Sequence, residues 1–158
     1  MTEVTVVLLP SADWAGRTEL AAEVVARGAR VHLPPAIVLP DDLAAPIADS
    51  RTVAGLAIGL NTAAIPGPIV LVSHGRTSLL LPSLALAQRA AHRQVRGYLL
   101  VDSPVPAPGP QWPDAPVWWI CTESAPEAVL KAQLTARLRG FEVNVGADVA
   151  ETIITACD

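Results

Sequence analysis

The 158-residue sequence is poor in charged residues, aromatic residues and cysteine. Only 16% of its residues are charged and 4% are aromatic, whereas 51% are hydrophobic. Long apolar stretches are also missing, since no run approaches the roughly 18 residues that span a membrane. The net charge is −4 and the 11 basic residues are scattered. Nucleic acids and anionic membrane surfaces are bound mainly by clustered Lys and Arg, so we expect neither as a partner.

Cysteine usage and the start of the chain bear on its compartment. Cys121 and Cys157 lack metal-ligand spacing, and we interpret Cys121 as a small buried strand residue rather than a reactive thiol. Residues 1–4 lack the basic region of a signal peptide. We therefore expect a cytoplasmic protein with reduced thiols, no metal and no other cofactor.

Length and hydropathy suggest one self-associating domain. A chain of 158 residues fits a single domain, residues 1–158, with a core large enough to need no disulfide or metal. The mean hydropathy of +0.41 is high for a protein without a membrane span. Apolar area must therefore remain on the surface, which predicts a homo-oligomer, such as a homodimer.

Strands and helices alternate along the sequence, the pattern of a parallel sheet covered by helices on both faces. The predicted strands are Val4–Leu9, Arg30–Leu33, Ile69–Val72, Arg96–Val101, Val117–Cys121 and Phe141–Val145. The predicted helices are Arg17–Arg27, a helix capped by Asp49 and Ser50 that runs to about Ala64, Leu80–His92, Pro126–Arg139 and Ala147–Thr155. Proline-rich stretches at 34–46 and 103–116 are predicted as loops.

The stretch Pro68–Pro82, PIVLVSHGRTSLLLP, predicts the functional site. Its uninterrupted aliphatic run is typical of a central parallel strand buried on both faces. A short polar turn, Ser73–Ser78, follows, and then an apolar pattern with helical spacing. Because ligands bind at the carboxyl ends of parallel strands, we expect this turn to face a ligand.

This turn, the Leu80-Leu81-Pro82 sequence after it and the VDSPVP stretch at 101–106 resemble a bacterial group of the α/β-hydrolase superfamily. Members of that group carry G-H-S-G-x-G, then L-L-P, then V-D-x-x-x-P. The resemblance implies a three-layer α/β/α sandwich with a six-stranded, all-parallel sheet in the order 2-1-3-4-5-6. It also implies a truncated core, since the usual lid insertion between the fourth and fifth strands is absent.

Two departures from the family pattern bear on activity. Gly75 stands where the family has its nucleophilic Ser, and Ser73, Arg76 and Ser78 replace the motif's glycines. The family's catalytic His follows the sixth strand, in a stretch corresponding to residues 145–148, but no histidine occurs after His92. The triad is therefore degenerate, and we predict that hydrolysis through a Ser-His-acid relay is absent.

The expected strand order brings the loops after strands 1 and 3 together in a crevice. We predict that His74 and Asp102 are catalytic, and that the substrate is bound by Ser11, Asp13, Trp14, Ser73, Gly75, Arg76 and Glu123. His74 fits a base or acid near neutral pH, or a residue packed beneath the turn. Asp102 fits an acid/base, a group that orients His74, or a loop cap.

The remaining crevice residues also have two interpretations each. Ser73 could donate a hydroxyl group or shape the turn. Arg76 could pair with an anionic substrate or be a solvated surface arginine. Trp14, together with the three later tryptophans, could line an apolar pocket or pack in the core.

Two functions fit these observations. The first is a non-hydrolytic enzyme that promotes cyclisation, elimination or isomerisation of an apolar, oxygen-bearing small molecule by orientation and hydrogen bonding. The second is a catalytically inactive binding or partner protein. A pocket with His74 or Asp102 pointing into it favours the enzyme, whereas a crevice filled by Trp14, Arg76 or the second proline-rich loop favours the partner protein.

Overall fold

The structure, a computed structural model, describes residues 3–158. The strands are β1 (Thr5–Leu8), β2 (Arg30–His32), β3 (Ile69–His74), β4 (Val95–Val101), β5 (Val117–Cys121) and β6 (Glu142–Val145). The α-helices are α1 (Arg17–Ala26), α2 (Ala45–Thr62), α3 (Leu81–Ala90), α4 (Glu127–Leu130), α5 (Ala132–Leu138) and α6 (Val149–Cys157), and a 3-10 helix at Gly75–Leu80 joins β3 to α3.

The six strands form one parallel sheet in the order β2-β1-β3-β4-β5-β6, which confirms the predicted fold. The order reverses at β1, because β2 lies on one side of β1 and β3 on the other. Such a reversal leaves a crevice at the carboxyl ends of β1 and β3, where the loops after these strands diverge. The sheet therefore places the turn after β3 at the expected binding edge.

The core lies in two layers, one on each face of the sheet. Alternate residues of each strand point to opposite faces, so that Val7 and Leu71 pack on one side and Val6 and Val70 on the other. Helices α2, α3, α4 and α5 cover the first face, whereas α1 and α6 cover the second. The central strand β3 is buried on both faces from Ile69 to Ser73, as its continuous aliphatic run predicts.

Two helix predictions need correction. Helix α2 begins at Ala45 rather than at a cap formed by Asp49 and Ser50, because Pro46 fits the first turn of a helix, where its missing N–H costs nothing. The single helix predicted after β5 is two short helices, α4 and α5, which meet at Lys131. Neither difference moves the carboxyl ends of the strands.

Residues 102–116 connect β4 to β5 without a helix, as the proline content predicts. Trp112 anchors this segment, with its ring edge-on to Tyr98 and Phe141 at centroid distances of 5.6 and 5.9 Å. The Tyr98 hydroxyl donates to Asp114 at 2.6 Å, and Arg139 donates to the carbonyl of Pro106 at 2.7 Å. The segment therefore packs against the face that carries α3 and α5.

In residues 3–158, the helices are either too short or too polar to cross a membrane.

Candidate functional site

The turn after β3 has the backbone shape of an elbow but no side chain at its apex. Gly75 adopts a φ of +58°, in the left-handed region that glycine enters without steric penalty. A Cβ built at Gly75 would have the Ser11 hydroxyl oxygen, 4.0 Å away, as its nearest neighbour. The turn thus leaves open space where a larger residue would present a nucleophile.

Buried serine hydroxyls hold this turn from below. The hydroxyls of Ser73 and Ser78 are 2.7 Å apart and hydrogen-bonded, and Ser73 also donates to the carbonyl of Leu99 at 3.3 Å. Both serines are completely buried. The prediction that Ser73 binds substrate therefore needs correction, because its hydroxyl is used within the fold and has no access to a ligand.

A cleft of about 660 Å³ opens beside the turn, on the face of the sheet that carries α1 and α6. Its floor includes His74 and Val101, which are register partners at the ends of β3 and β4. One wall comes from the loop after β1 and from α1, and the other from the amino end of α6 and the loop after β5. The apolar part of the lining includes Leu20, Val149 and Ala150.

His74 is half-buried in this cleft and stacks on Trp14. The two rings are 5.3 Å apart between centroids and 10° from parallel. His74 Nδ1 is buried with no hydrogen-bond partner, so Nε2 is the nitrogen that can exchange a proton with a ligand. Burial lowers the pKa of His74 below its ordinary value, and the nearby charges of Asp102 and Asp13 partly oppose that shift. At neutral pH the imidazole is therefore uncharged.

Asp102 lines the cleft, but its hydrogen bonds go to the loop after β5. It accepts one hydrogen bond from the Thr122 backbone N–H, at 2.7 Å, and another from the Thr122 hydroxyl. Its φ is +46°, and only 8% of the residue is exposed. Asp102 thus fixes the β5 loop, and it acts on His74 through charge rather than through a direct hydrogen bond.

The charged residues that line the cleft are all acidic: Asp13, Glu19, Glu23, Asp102 and Asp148. Arg27 at the rim pairs with two of them, Glu23 at 2.6 Å and Asp148 at 2.9 Å. These carboxylates are spread around the rim, and no group of three or more metal-ligating side chains within residues 3–158 could hold a metal ion. The cleft therefore repels anions without offering a metal site.

Apart from the buried Ser73, the predicted site residues separate into three groups. Asp13, Trp14, His74 and Asp102 line the cleft. Ser11 and Gly75 face one another beside it. Arg76 and Glu123 are exposed and lie outside its lining, so the structure does not bring them to this site.

Several residues of the cleft, including Glu23, were not predicted from the sequence. Thr122 holds Asp102, Glu19 lies on the cleft side of α1, and Asp148 caps α6 by accepting from the Glu151 N–H at 3.1 Å. Asp148 had a signal, because it lies in the stretch that corresponds to the family's histidine loop. The sequence signal for Glu19 is weaker, because an acidic residue in the first turn of a helix is usually explained by the helix dipole.

Comparison with known proteins identifies the fold. Neither a protein-family model nor a curated protein matches the sequence. Among solved structures, the NocB thioesterase domain, in covalent complex with a fluorophosphonate nocardicin G analogue, matches with a TM-score of 0.62 and 16% identity over 100% of this chain and 96% of that one. A protein from Xanthomonas campestris assigned to the alpha/beta hydrolase superfamily gives 0.57 and 18%, over 98% and 94%. This chain has the α/β-hydrolase fold.

The α/β-hydrolase fold at such identities does not define a reaction. Another match, the protein Atu2452 of unknown function from Agrobacterium tumefaciens, has a TM-score of 0.54 and 12% identity over 98% of this chain and 89% of that one. Activity must therefore be argued from the residues of the cleft rather than from the fold.

Proposed function

We propose that this protein is a non-hydrolytic enzyme of the α/β-hydrolase fold in which His74 transfers a proton to or from an apolar, oxygen-bearing small molecule. The observation that carries the proposal is the position of His74, half-buried in the floor of a cleft of about 660 Å³, where burial lowers the pKa of its imidazole. A positioned base accelerates the cyclisations, eliminations and isomerisations that proceed by proton transfer, and these reactions can occur without a covalent intermediate.

The missing nucleophile supports a reaction other than hydrolysis. Gly75 has no side chain, and the Ser73 hydroxyl beneath it is buried and hydrogen-bonded. No histidine occurs in residues 145–148, the stretch in which the resemblance expects the family's base. A serine relay would need both groups, so the cleft is better suited to chemistry that uses a single base.

The crevice is open, which favours the enzyme over the partner protein. Arg76 is exposed and does not line the cleft, and residues 103–116 pack on the α3 and α5 side of the sheet. Trp14 occupies one wall, where it covers a face of the imidazole and leaves a cleft beside it. The five carboxylates disfavour an anionic substrate, so the substrate should be neutral or positively charged.

Kemp elimination of 5-nitrobenzisoxazole tests the proposal without knowledge of the natural substrate. A base removes the proton from C3 of this neutral, apolar ring while the N–O bond breaks to give a phenolate. We expect wild type to accelerate the reaction and His74→Gln to lower kcat/KM by roughly 100-fold, the usual contribution of a positioned base. The matched control is His92→Asn, which changes an exposed histidine whose positive φ asparagine tolerates.

The result that would contradict the proposal is equal acceleration by wild type and His74→Gln. Circular dichroism of each variant checks that the fold is retained. Turnover of nitrophenyl esters by wild type above a His74→Ala control would instead support residual hydrolysis.

A specific surface feature supports the second candidate, a binding or partner protein. Leu130, Leu134 and Leu138 recur every four residues along α4 and α5 and are exposed by 48, 66 and 79%. Such a row of exposed leucines suits association with another protein, including a second copy of this chain.

We propose a homo-oligomer on this basis. Light scattering at micromolar concentration should give more than the monomer mass of 16.5 kDa. A monomer would refute the homo-oligomer.

A further inference from the structure

A second cavity lies on the opposite face of the sheet from the cleft. It is a groove of about 390 Å³ between α2 and the loop after β2. His32, at the end of edge strand β2, provides its imidazole, and Pro34, Ile37, Leu56 and Gly59 provide apolar surface. None of its lining residues is shared with the cleft.

Packing explains one glycine of this groove but not the other. A Cβ at Gly55 would come within 2.9 Å of Ile37 Cδ1, so glycine is needed there for the loop to approach α2. A Cβ at Gly59, one helical turn later, would meet no atom within 4 Å. Glycine inside a helix is less favourable than any residue except proline, so Gly59 weakens α2 without a steric reason. Its missing side chain keeps the groove open.

Two arginines flank the groove. Arg17 Nη2 donates to the carbonyl of Pro34 at 2.7 Å, and Arg93 Nη2 donates to the carbonyl of Leu60 at 3.2 Å. Both side chains are half-buried, and within residues 3–158 neither lies in ion-pair contact with a carboxylate. No Asp or Glu lines the groove. The arginines themselves are not part of the lining, so the groove has apolar walls with two guanidinium groups beside it that form no ion pair within residues 3–158.

The same two arginines affect the pKa of the histidine in the groove. Burial lowers the pKa of His32, and the charges of Arg17 and Arg93 lower it further. At neutral pH its imidazole is uncharged and can donate one hydrogen bond to an acceptor in the groove.

We propose that this groove is a second ligand site, and that it binds a small apolar molecule with one negative charge, such as an aromatic or aliphatic carboxylate. The apolar walls would hold the body of the ligand, and the field of the two arginines would favour the anion over its neutral counterpart. The proposal is independent of the reaction assigned to the cleft.

Two dyes with the same aromatic body separate the effects of charge and hydrophobicity. The probes are 8-anilinonaphthalene-1-sulfonate, an anion, and N-phenyl-1-naphthylamine, its uncharged analogue, each titrated into the full chain by fluorescence. Hydrophobicity alone favours the neutral dye. We expect the sulfonate to bind roughly fivefold more tightly, the size of effect that partly exposed charge pairs produce. Equal or tighter binding of the neutral dye would overturn the charge part of the proposal.

Paired substitutions on α2 locate the site. Gly59→Leu fills the groove and should weaken sulfonate binding by roughly tenfold, because the added side chain takes the ligand's space. Ala54→Leu introduces the same side chain at an exposed α2 position outside the groove and should leave binding within roughly twofold. Equal losses in both variants would refute the site.

The histidine signals supply a readout that does not depend on a variant folding. The chain has three histidines, so their imidazole C–H resonances are easily assigned. Sulfonate binding in the groove should shift the His32 signal and leave the His74 signal in place. A shift of His74 with His32 unchanged would place the anion in the cleft and overturn the proposal.

Discussion

Each of the two cavities contains one histidine, and their charged surroundings are opposite. Burial lowers the pKa of both imidazoles. Around His74 in the cleft, the carboxylates of Asp102 and Asp13 oppose that shift, whereas around His32 in the groove the guanidinium groups of Arg17 and Arg93 reinforce it. We therefore propose a neutral or cationic ligand for the cleft and an anionic one for the groove.

The two cavities also arise in different ways. The cleft forms where the strand order reverses, so its polar residues follow from the topology of the sheet. The groove forms where α2 lacks a side chain at Gly59, and topology does not require it. The fold therefore fixes where a binding edge lies, whereas a groove on a helix depends on single residues.

Two carboxylates of the same cleft should differ most in their effect on the free energy of unfolding. Asp102→Ala should lower the free energy of unfolding by about 3 kcal/mol, because the partly buried Thr122 N–H loses its acceptor and alanine is strained at a φ of +46°. Asp13→Ala, which removes a carboxylate without an ion pair in residues 3–158, should change it by less than about 0.5 kcal/mol. Urea denaturation measures both values, and equal losses would show that Asp102 is not a structural anchor.

The next effect contrasts a glycine beside the cleft, Gly75, with a glycine in the groove, Gly59. Gly75→Ala should destabilise the protein by about 1 to 2 kcal/mol, because its φ of +58° is unfavourable for a residue with a Cβ. Gly59→Ala should stabilise it by about 1 kcal/mol, because α2 gains helix propensity and the new methyl group meets no neighbour. Thermal unfolding gives the signs. Two shifts of the same sign would contradict this account of the two glycines.

A smaller effect is the pH dependence of stability. Because the folded-state pKa values of His74 and His32 lie below 6.5, the unfolded chain binds more protons as the pH falls below that value. The stability they contribute is therefore present above pH 6.5 and is lost as the pH falls through the folded pKa values. Replacing either histidine with glutamine should flatten the slope between about pH 5 and 7, where carboxylates contribute less. An unchanged slope in both variants would contradict the burial of these imidazoles.

The smallest effect sharpens the contrast between the two histidines. Asp13→Asn should lower the pKa of His74 further, because one of the two charges that oppose burial is removed. Arg93→Gln should raise the pKa of His32, because a charge that acts with burial is removed. NMR titration of the imidazole signals measures both, and shifts in the same direction would remove the electrostatic distinction between cleft and groove.

The sheet and part of the cleft could be predicted from the sequence for one physical reason. Strands buried on both faces are uninterrupted aliphatic runs, and the carboxyl ends of parallel strands meet at one edge. That reasoning places Asp13, Trp14, His74 and Asp102 correctly around the cleft. It gives no orientation for the side chains, and so it assigned the buried Ser73 and the exposed Arg76 to the same site.

The rest depended on contacts between distant parts of the chain. Asp148, at the acidic rim, pairs with Arg27, which is 121 residues away in the sequence. No local sequence pattern indicates such an ion pair. The groove was not predicted because it depends on the absence of a side chain at Gly59. Helix α2 begins earlier than predicted, because Pro46 fits its first turn. A helix that begins at a cap formed by Asp49 and Ser50 would leave Pro46 outside.

The pH dependence of 5-nitrobenzisoxazole elimination distinguishes catalysis by His74 from reaction with hydroxide. If His74 is the base, kcat/KM should rise with pH through a single ionisation below pH 6.5 and then level off, and that ionisation should match the NMR titration of the His74 imidazole. A rate that keeps rising with hydroxide concentration, with the same profile in His74→Gln, would show that the cleft offers no base and would contradict the account.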